Sequence, residues 1–351
     1  MQLNDFLNQR SEWLKGEGPH SDIVISSRVR LARNLQQDLF PNRANAKQGE
    51  ANLHKIKLAL SKVDLLKKSM YVDVSTLDDV DKQFLIERHL MSHEHAAKGE
   101  NKALLVTEEE IISVMINEED HLRIQVMRSG FDLNEAWNVI DTLDNDLAKL
   151  LRFAFMPEWG YLTACPTNAG TGMRGSVMLH LPALVMTKQI NKVLAAIAKL
   201  SFTTRGLYGE GTQALGNFFQ ISNQVSLGHG ESEIIENIKG LIRQIIEQEE
   251  QARRSLLSQQ RQIVEDKIHR AFGTLKNAYI ISSQETIELL SMVRLGVDVG
   301  IIKKIDKSLL NELFIITQPS HLQKIEDRKL SSSERDIKRA SLIRNKLGGK
   351  K

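Results

Sequence analysis

Arginine recurs beside small, polar or acidic residues in four separate segments of this 351-residue chain. The segments read S-S-R-V-R-L-A-R at 26–33, N-E-E-D-H-L-R at 117–123, C-P-T-N-A-G-T-G-M-R at 165–174 and R-G-L-Y-G-E at 205–210. Arg28 and Arg30 alternate along an extended run, so we expect their side chains on one face of a strand. Guanidinium groups that converge on one site need a highly charged anion. A nucleotide triphosphate fits, because planar guanidinium groups bind phosphate oxygens bidentately.

Other phosphate-binding sequences do not account for these segments. The sequence contains no G-x-x-x-x-G-K-[ST] loop. The run G-T-G-M-R-G from Gly170 to Gly175 formally matches a dinucleotide fingerprint. That motif should follow a strand and open a helix, whereas here a proline-containing loop precedes it and strand alternation follows it. Arginine side chains are therefore the predicted phosphate ligands, although each of them taken alone also suits a surface residue or a structural ion pair.

Glu118, Glu119 and Glu210 lie close in sequence to these arginines. An acceptor guanidinium stays protonated up to about pH 12, so it must be oriented and must lose a proton as a phosphoryl group arrives. A pair of carboxylates can do both. The competing interpretation of Glu118 and Glu119 is an acidic hairpin turn.

Cys165 is the single cysteine, which rules out an internal disulfide framework. It precedes a proline and a glycine-rich loop near Arg174, an electropositive setting that favours a thiolate able to hold a cation. A small core residue is the alternative. Histidines also occur at 89, 93 and 95, the last two in the sequence H-E-H. This spacing does not match the i, i+4 histidine pair of a helical zinc site, so these histidines are not predicted to bind a metal.

The composition is that of an ordinary globular protein, with 41% hydrophobic and 26% charged residues. The net charge is +3, and residues 321–351 are the basic end. The first residues lack the apolar stretch of a signal peptide, and no run reaches the length of a membrane span. We therefore expect a cytoplasmic protein.

Hydrophobic periodicity predicts an α+β fold, with an antiparallel β-sheet flanked by helices and a small α-helical C-terminal domain. A catalytic domain is expected over 1–250 and a helical domain over 251–351. A long helix from 231 to about 270 would connect the two domains. The other predicted strands lie at 22–35, at 173–181 and as three short runs within 102–127, and the other predicted helices at 51–68, 131–151, 182–200, 284–295, 308–316 and 333–347.

Taken in order, the four segments resemble the motifs of the ATP:guanidino phosphotransferase family, which includes creatine and arginine kinases. The resemblance covers roughly 22–246 and implies ATP and Mg²⁺ as cofactors. It implies that Glu119 and Glu210 bind the acceptor guanidinium, with Glu118 and Cys165 beside them. The nucleotide-binding residues that it implies are Ser27, Arg28, Arg30, His89 in F-L-I-E-R-H, Arg123, Arg174 and Arg205.

Two departures from the phosphagen kinases point to the bacterial protein-arginine kinases of this family. The relatives carry a helical domain ahead of the S-S-R-V-R strand, whereas here that strand follows closely on the first residue. An open acceptor side would admit a polypeptide. The second departure is the appended helical domain, where R-D-x-x-R-A resembles a phosphoarginine-binding motif, or alternatively is an ordinary surface helix. The motif residues are Arg335, Asp336, Arg339 and Ala340.

The resemblance implies direct in-line phosphoryl transfer to arginine side chains of proteins. It also implies a homodimer, a zinc-containing activator protein, a stress-response repressor as substrate, and a Clp ATPase and protease that receives the modified clients. Two rival functions stay open from the residues alone. One is a kinase of free arginine or another small guanidino compound. The other is a phosphoarginine-reading or nucleic-acid-binding adaptor with an inactive kinase domain, since basic tails bind phosphates.

Overall fold

The computed structural model describes residues 2–97, 99–206 and 215–348. Eight strands form one antiparallel sheet in the order β2-β3-β4-β5-β1-β8-β10-β9, and β6 and β7 form a separate hairpin. The strands are β1 (Val24–Arg33), β2 (Ser69–Asp73), β3 (Ala103–Thr107), β4 (Ile112–Ile116), β5 (Leu122–Ser129), β6 (Phe155–Met156), β7 (Gly160–Tyr161), β8 (Met173–His180), β9 (Phe202–Arg205) and β10 (Phe218–Asn223).

Helices cover the sheet and make up the C-terminal part of the chain. Within the described residues, none of them combines the length and the apolar character that a bilayer crossing requires. The helices are α1 (Ala46–Leu60), α2 (Asp79–Glu87), α3 (His93–Ala96), α4 (Leu133–Ala148), α5 (Pro182–Met186), α6 (Ile190–Lys199), α7 (Glu231–Gln259), α8 (Arg261–Asn277), α9 (Ser283–Asp298), α10 (Lys307–Ile316), α11 (Pro319–Ile325) and α12 (Ser332–Gly348).

The central strand β1 has one apolar and one basic face. Val29 and Leu31 are buried in the main hydrophobic core, on the side where α4 and α7 pack against the sheet. Arg28 and Arg30 lie at the alternate positions, and both line a cleft on the other face. Gly175 faces Val29 across the β1–β8 ladder, and a Cβ atom there would lie 2.5 Å from Ile238 Cδ1. Glycine therefore lets α7 pack close to the centre of the sheet.

Among the described residues, a layer of helix and N-terminal side chains covers one end of the cleft face of the sheet. A second core lies over β2, β3 and β4, where Phe84 and Leu85 of α2 pack with Phe6 and with strand residues such as Met115. The strands that follow in the sheet order carry arginine, glutamine and threonine side chains toward the cleft. The position at which α2 ends therefore sets one wall of that cleft.

The C-terminal helices share the main core with the sheet. Helix α7 runs through the expected domain boundary at 250, and residues from α8, α9, α10 and α12 belong to the same buried cluster as the strands. The expected continuation of the long helix to about residue 270 is wrong, because α7 ends at Gln259 and α8 begins at Arg261. The helix expected over 182–200 is likewise two helices, separated around Lys188, which has a φ of +59°.

The predicted fold class is confirmed, together with most of the predicted elements. The three short strands within 102–127 are β3, β4 and β5, and the helix expected at 131–151 is α4. The first predicted helix is shifted, because α1 begins at Ala46 after the N-cap Asn45, whose side chain accepts a hydrogen bond from Gln48 N. Strands β2, β6, β7, β9 and β10 and helices α2, α3 and α11 were not predicted.

Candidate active site

Arg28 and Arg30 of β1 form the floor of a cleft of about 920 Å³. Arg28 donates from Nε to Ser176 Oγ at 3.2 Å and from Nη1 to Gln125 Oε1 at 3.5 Å. Arg30 is buried, and its Nε has no hydrogen-bond partner among the described residues. Neither guanidinium forms an ion pair with a carboxylate in the described part of the chain. Two cations without a carboxylate partner, one of them buried, are suited to an anionic ligand.

Three further arginines reach the same cleft from other strands: Arg123 of β5, Arg174 of β8 and Arg205 of β9. The registers explain the convergence, because Arg30 lies directly opposite Arg174 across the β1–β8 ladder and Ala32 lies opposite Arg123 across the β1–β5 ladder. Directly opposed side chains point to the same face of a sheet. The gathering of guanidinium groups expected from the four sequence segments is therefore present.

The arginine cluster lowers the pKa values of its own members. Burial, followed by the charges of Arg123, Arg174 and Arg205, lowers the pKa of Arg28 to about 9. Burial, followed by Arg28, also lowers the pKa of Arg30 well below its ordinary value. Each effect means that the charged form of the guanidinium is disfavoured by its surroundings. A polyanion would offset this effect, since it supplies the missing opposite charge.

Arg174 is oriented by neutral hydroxyl groups. Its Nη2 lies 3.1 Å from Thr203 Oγ1 and 3.2 Å from Ser222 Oγ, and these two hydroxyls are 2.9 Å apart. Sequence reasoning did not identify Thr203 or Ser222. The sequence signal for Thr203 is the alternation of side chains along a strand, which puts Thr203 on the same face of β9 as Arg205.

His89 closes the wall of the cleft at the end of α2. Its backbone lies in the left-handed region with φ +60°, an unusual conformation for a residue other than glycine, and its carbonyl accepts a hydrogen bond from Gln125 Nε2 at 2.8 Å. Burial, followed by the charge of Arg28, lowers the pKa of His89 to about 3. The imidazole is therefore neutral at physiological pH and adds no further charge to the cluster.

The acidic segment is a tight turn between β4 and β5, and Glu118 and Glu119 also line the cleft, while their catalytic role stays a prediction. Asn117 has φ +57°, and Glu118 N donates to Asp120 O at 3.2 Å. The side chain of Glu118 is only 3% exposed and pairs with Arg123 at 2.5 Å. Glu119 stands at the exposed mouth of the cleft, and burial, followed by the charge of Asp120, raises its pKa.

Cys165 is half-buried in the wall next to this turn. Its Sγ lies 3.0 Å from Thr167 Oγ1. Asp120 links the two segments, because its Oδ1 accepts hydrogen bonds from Ala164 N at 2.7 Å and from Asn34 Nδ2 at 2.5 Å. The predicted acid and the predicted thiol are thus brought to one end of the cleft.

Ser27, a predicted site residue, does not line this cleft. The side chain of Ser27 points to the opposite face of β1, where its hydroxyl donates to Gly130 O at 2.9 Å and accepts from Asp132 N at 3.0 Å. The alternation that puts Arg28 in the cleft takes the side chain of Ser27 out of it. Glu210 lies outside the described residues.

The R-D-x-x-R-A residues lie on α12, with Arg339 and Ala340 buried and Arg335 and Asp336 half-buried. Arg339 donates from Nε to Thr317 O at 2.8 Å and from Nη1 to Ile281 O at 2.9 Å, and it pairs with Asp336 at 2.5 Å. Its guanidinium therefore contributes to the packing of the C-terminal helices. The phosphoarginine-binding role of the four residues stays a prediction.

Residues 52–252 match the model of the ATP:guanido phosphotransferase C-terminal catalytic domain, and residues 261–351 match that of the protein-arginine kinase McsB C-terminal domain. The chain belongs to the ATP:guanido phosphotransferase family. It is 50% identical to the protein-arginine kinase of Halothermothrix orenii, over 99% of both chains. It is 48% identical to the protein-arginine kinase of Symbiobacterium thermophilum, over 96% of both chains. Membership of this family makes the chain a phosphotransferase.

Solved guanidino kinases share the fold. The duplicated taurocyamine kinase of Schistosoma mansoni, with bound transition state analogue components, superposes with a TM-score of 0.60 at 26% identity over 66% of this chain. This chain spans 33% of that duplicated enzyme. Lombricine kinase superposes with a TM-score of 0.60 at 23% identity, over 67% of this chain and 68% of that enzyme. At this low identity, the similarity to lombricine kinase establishes a shared fold and nothing more.

Proposed function

We propose that this protein transfers the γ-phosphoryl group of ATP to arginine side chains of other proteins. One observation carries the proposal: a cleft with five arginines for a polyanion also has a carboxylate and a thiol for a cation at one end. Relatives that match nearly the whole chain are named protein-arginine kinases. The cleft thus offers complementary charge to both reactants of a guanidino phosphotransfer.

The nucleotide phosphates bind to the arginine cluster. Arg30 is buried and Arg28 is half-buried, and neither has a carboxylate partner among the described residues, so a triphosphate gains charge-assisted hydrogen bonds without displacing an existing ion pair. The same groups stabilise the charge on the transferring phosphoryl oxygens, which is the main catalytic requirement of phosphoryl transfer. Neutral His89 lies beside Arg28, where it contacts the nucleotide without adding to the repulsion.

Mg²⁺ fits the acidic side of the cluster. Glu118 has a buried Oε2 without a hydrogen-bond partner among the described residues, while its Oε1 pairs with Arg123. Magnesium prefers carboxylate and phosphate oxygens and usually keeps several waters. Glu118 would hold the ion directly or through a water, and a bound Mg²⁺ would neutralise phosphate charge.

The acceptor guanidinium binds at Glu119 and Cys165, at the other end of the cleft. A nitrogen of the target arginine attacks the γ-phosphorus in line, the new N–P bond forms as the bond to the β-phosphate oxygen breaks, and ADP leaves. The guanidinium must give up one proton in this step, because its pKa lies above about 12. Glu119 or Glu210 takes that proton, and the raised pKa of Glu119 makes it a better base than an ordinary carboxylate.

The test uses radiolabelled ATP with two acceptors, an unfolded basic protein and free arginine. We expect label on the protein as phosphoarginine, identified by mass spectrometry under conditions that preserve the N–P bond. Glu119→Gln and Glu210→Gln should each lower the rate by at least about 100-fold, since a positioned general base typically contributes that much. Glu109→Gln, which alters an exposed carboxylate in the neighbouring hairpin, is the matched control and should retain full activity.

Each contrary result has a distinct meaning. Label on free arginine alone would assign the cleft to a small guanidino acceptor. Absence of label from both acceptors, with ATP still bound, would favour the adaptor function. Full activity of Glu119→Gln would remove that residue from the acceptor site.

The proposal extends to the surroundings that the family resemblance implies. The protein would act in the cytoplasm as a homodimer, together with a zinc-containing activator protein. A stress-response repressor would be one substrate, and a Clp ATPase and protease would receive the modified proteins. The corresponding test is co-purification of these partners with the active enzyme. The Clp ATPase and protease, whose binding depends on modified client proteins, should not co-purify with the Glu119→Gln variant.

A further inference from the structure

Large apolar side chains stand exposed on both sides of the loop 165–170, which begins with Cys165. The exposed fractions are 40% to 54%, although burial of such side chains is normally favourable. We call this set the apolar rim, and its members are Phe155, Met156, Trp159, Val225 and Leu227. Clustered exposed apolar residues next to a polar site indicate an interaction surface.

One side of the rim is the tip of the β6–β7 hairpin, which is fixed to the loop. Tyr161 N donates to Gly170 O at 2.7 Å, and Trp159 N donates to Met156 O at 3.1 Å within the hairpin turn. Beyond the hairpin, Ala164 N donates to Asp120 Oδ1 of the acidic turn at 2.7 Å. Met156 and Trp159 therefore belong to one structural unit with the turn that carries Glu119.

The other side of the rim follows β10 and is fixed to the same loop. Ser226 Oγ donates to Ala169 O at 2.9 Å. Gly170 has φ +102°, and a Cβ atom there would lie 2.8 Å from Leu227 Cα, so the two backbones touch. Gln224, which directly precedes Val225, lines the cleft. The apolar rim is thus continuous with the cleft wall.

Charge identifies the end of the cleft that the rim borders. The five arginines form the anion-binding part, whereas the rim flanks the loop of Cys165, and Ala164 just before that loop donates to Asp120 beside Glu119. A guanidinium binds at the acidic end. The residues that neighbour the acceptor arginine must therefore pass over or beside the rim.

We propose that the apolar rim binds apolar side chains that flank the target arginine in an unfolded acceptor polypeptide. This inference rests on the proposed function. Three residues of extended chain reach about 10 Å, so side chains within that span can contact the rim while the arginine enters the cleft. Folded proteins bury most of their large apolar residues, so an accessible apolar neighbour distinguishes an unfolded acceptor from a folded one. The rim therefore favours arginines in unfolded chains.

The experiment compares two synthetic peptides that each contain one central arginine. The first has leucine and phenylalanine at the second and third positions on either side, and the second has serine and glycine there. With the full-length enzyme and labelled ATP, kcat/KM should be about tenfold higher for the apolar peptide, the gain expected from burying one large side chain. In the double variant Trp159→Ser/Leu227→Ser this ratio should fall toward one.

A matched control removes an equally exposed apolar residue elsewhere. Ile263→Ser alters a side chain on α8 that is 54% exposed, and it should keep the tenfold ratio. An equal kcat/KM for the two peptides in the unaltered enzyme, or an unchanged ratio in the double variant, would overturn the inference and leave the proposed function intact. Loss of dimerisation in the double variant, with the ratio preserved, would assign the rim to a second copy of this chain and would also overturn it. If neither peptide nor an unfolded protein is labelled, the proposed function fails, and the inference fails with it.

Discussion

The protein uses buried arginine in two opposite ways, and β1 contains both. Arg33, at the end of the strand, pairs with Asp144 at 2.7 Å, donates to Ala32 O and Thr171 O at 2.9 Å each, and stacks on the ring of Tyr161 at 3.5 Å. Arg30, three residues earlier, is also buried, but its Nε has no hydrogen-bond partner among the described residues. Burial alone therefore does not indicate the role of an arginine; the charge and donors around it do.

The second structural example lies directly next to the cleft. Arg88 pairs with Glu110 and donates to Ser11 Oγ at 2.9 Å, and the preceding residue Glu87 accepts hydrogen bonds from the first turn of α11. These contacts hold the end of α2, from which His89 enters the cleft. Complete ion pairs thus support the wall, while Arg28 and Arg30, which have no carboxylate partner among the described residues, face the cleft. The two classes should respond differently to mutation.

The largest expected effect is on catalysis by a cleft arginine. Arg30→Ala removes one phosphate ligand, and we expect kcat to fall by about 10³-fold or more, the range seen for arginines that stabilise a transferring phosphoryl group. The free energy of unfolding without nucleotide should stay the same or rise, because a buried cation among like charges is removed. Labelled-ATP kinetics and urea denaturation of the same preparation measure both quantities. If Arg30→Ala lost as much stability as Arg33→Ala, the two arginines would not differ in role, and the distinction between ligand-binding and structural arginines would be wrong.

The next effect concerns a paired arginine. Arg33→Ala leaves Asp144 buried without its partner, and we expect a loss of about 3–5 kcal/mol in the free energy of unfolding. Lys149→Ala is the control, because that lysine pairs with Asp146 at 2.7 Å but is 73% exposed, and such a pair contributes at most about 1 kcal/mol. Urea denaturation without nucleotide gives both values. Equal losses in the two variants would show that the Arg33 pair is not structural.

The sequence predicted much of the site because short patterns determine it. A period of two fixed Arg28 and Arg30 on one face of β1, and the turn N-E-E-D was recognisable between two apolar runs. The same alternation argues against a side-chain role for Ser27 in the cleft. The hydroxyl groups that orient Arg174 belong to strands that were not predicted.

The missed elements have physical reasons. All six residues of β10 are buried, so its sequence F-F-Q-I-S-N shows no alternation of exposed and buried positions. The break between α7 and α8 at Gln260 has no proline or glycine to signal it, and only the packing of α8 on α9 distinguishes two helices from one. The ion pair of Arg88 with Glu110 joins distant segments and has no local pattern. Long-range pairing of this kind requires the fold.

A smaller effect extends the comparison to the histidines near the cluster. The pKa of His95 is lowered to about 4, mainly by burial, from an ordinary value of 6.5. Its stabilising contribution is complete above pH 6.5 and is lost as the pH falls toward 4, because the unfolded chain binds a proton that the folded chain excludes. This linkage gives a slope of about 1.4 kcal/mol per pH unit for one histidine. Between pH 7.5 and 5.5 the free energy of unfolding, measured by urea denaturation, should fall by about 1.4 kcal/mol less in His95→Gln than in the unaltered protein, because only half of that range lies below pH 6.5. Equal slopes would contradict the assignment.

The smallest effect tests the electric field of the cluster itself. The charge of Arg28 is the second cause, after burial, of the low pKa of His89, so Arg28→Ala should raise that pKa while leaving it below 6.5. The ring signals of His89, followed by nuclear magnetic resonance from pH 7.5 to 5, should then begin to shift at a higher pH than in the unaltered protein. Arg254→Ala, at an exposed arginine on α7, is the control and should leave the titration unchanged. Identical curves for Arg28→Ala and the unaltered protein would mean that the cleft arginines are neutralised without a ligand, and the contrast with Arg33 would then lose its electrostatic basis.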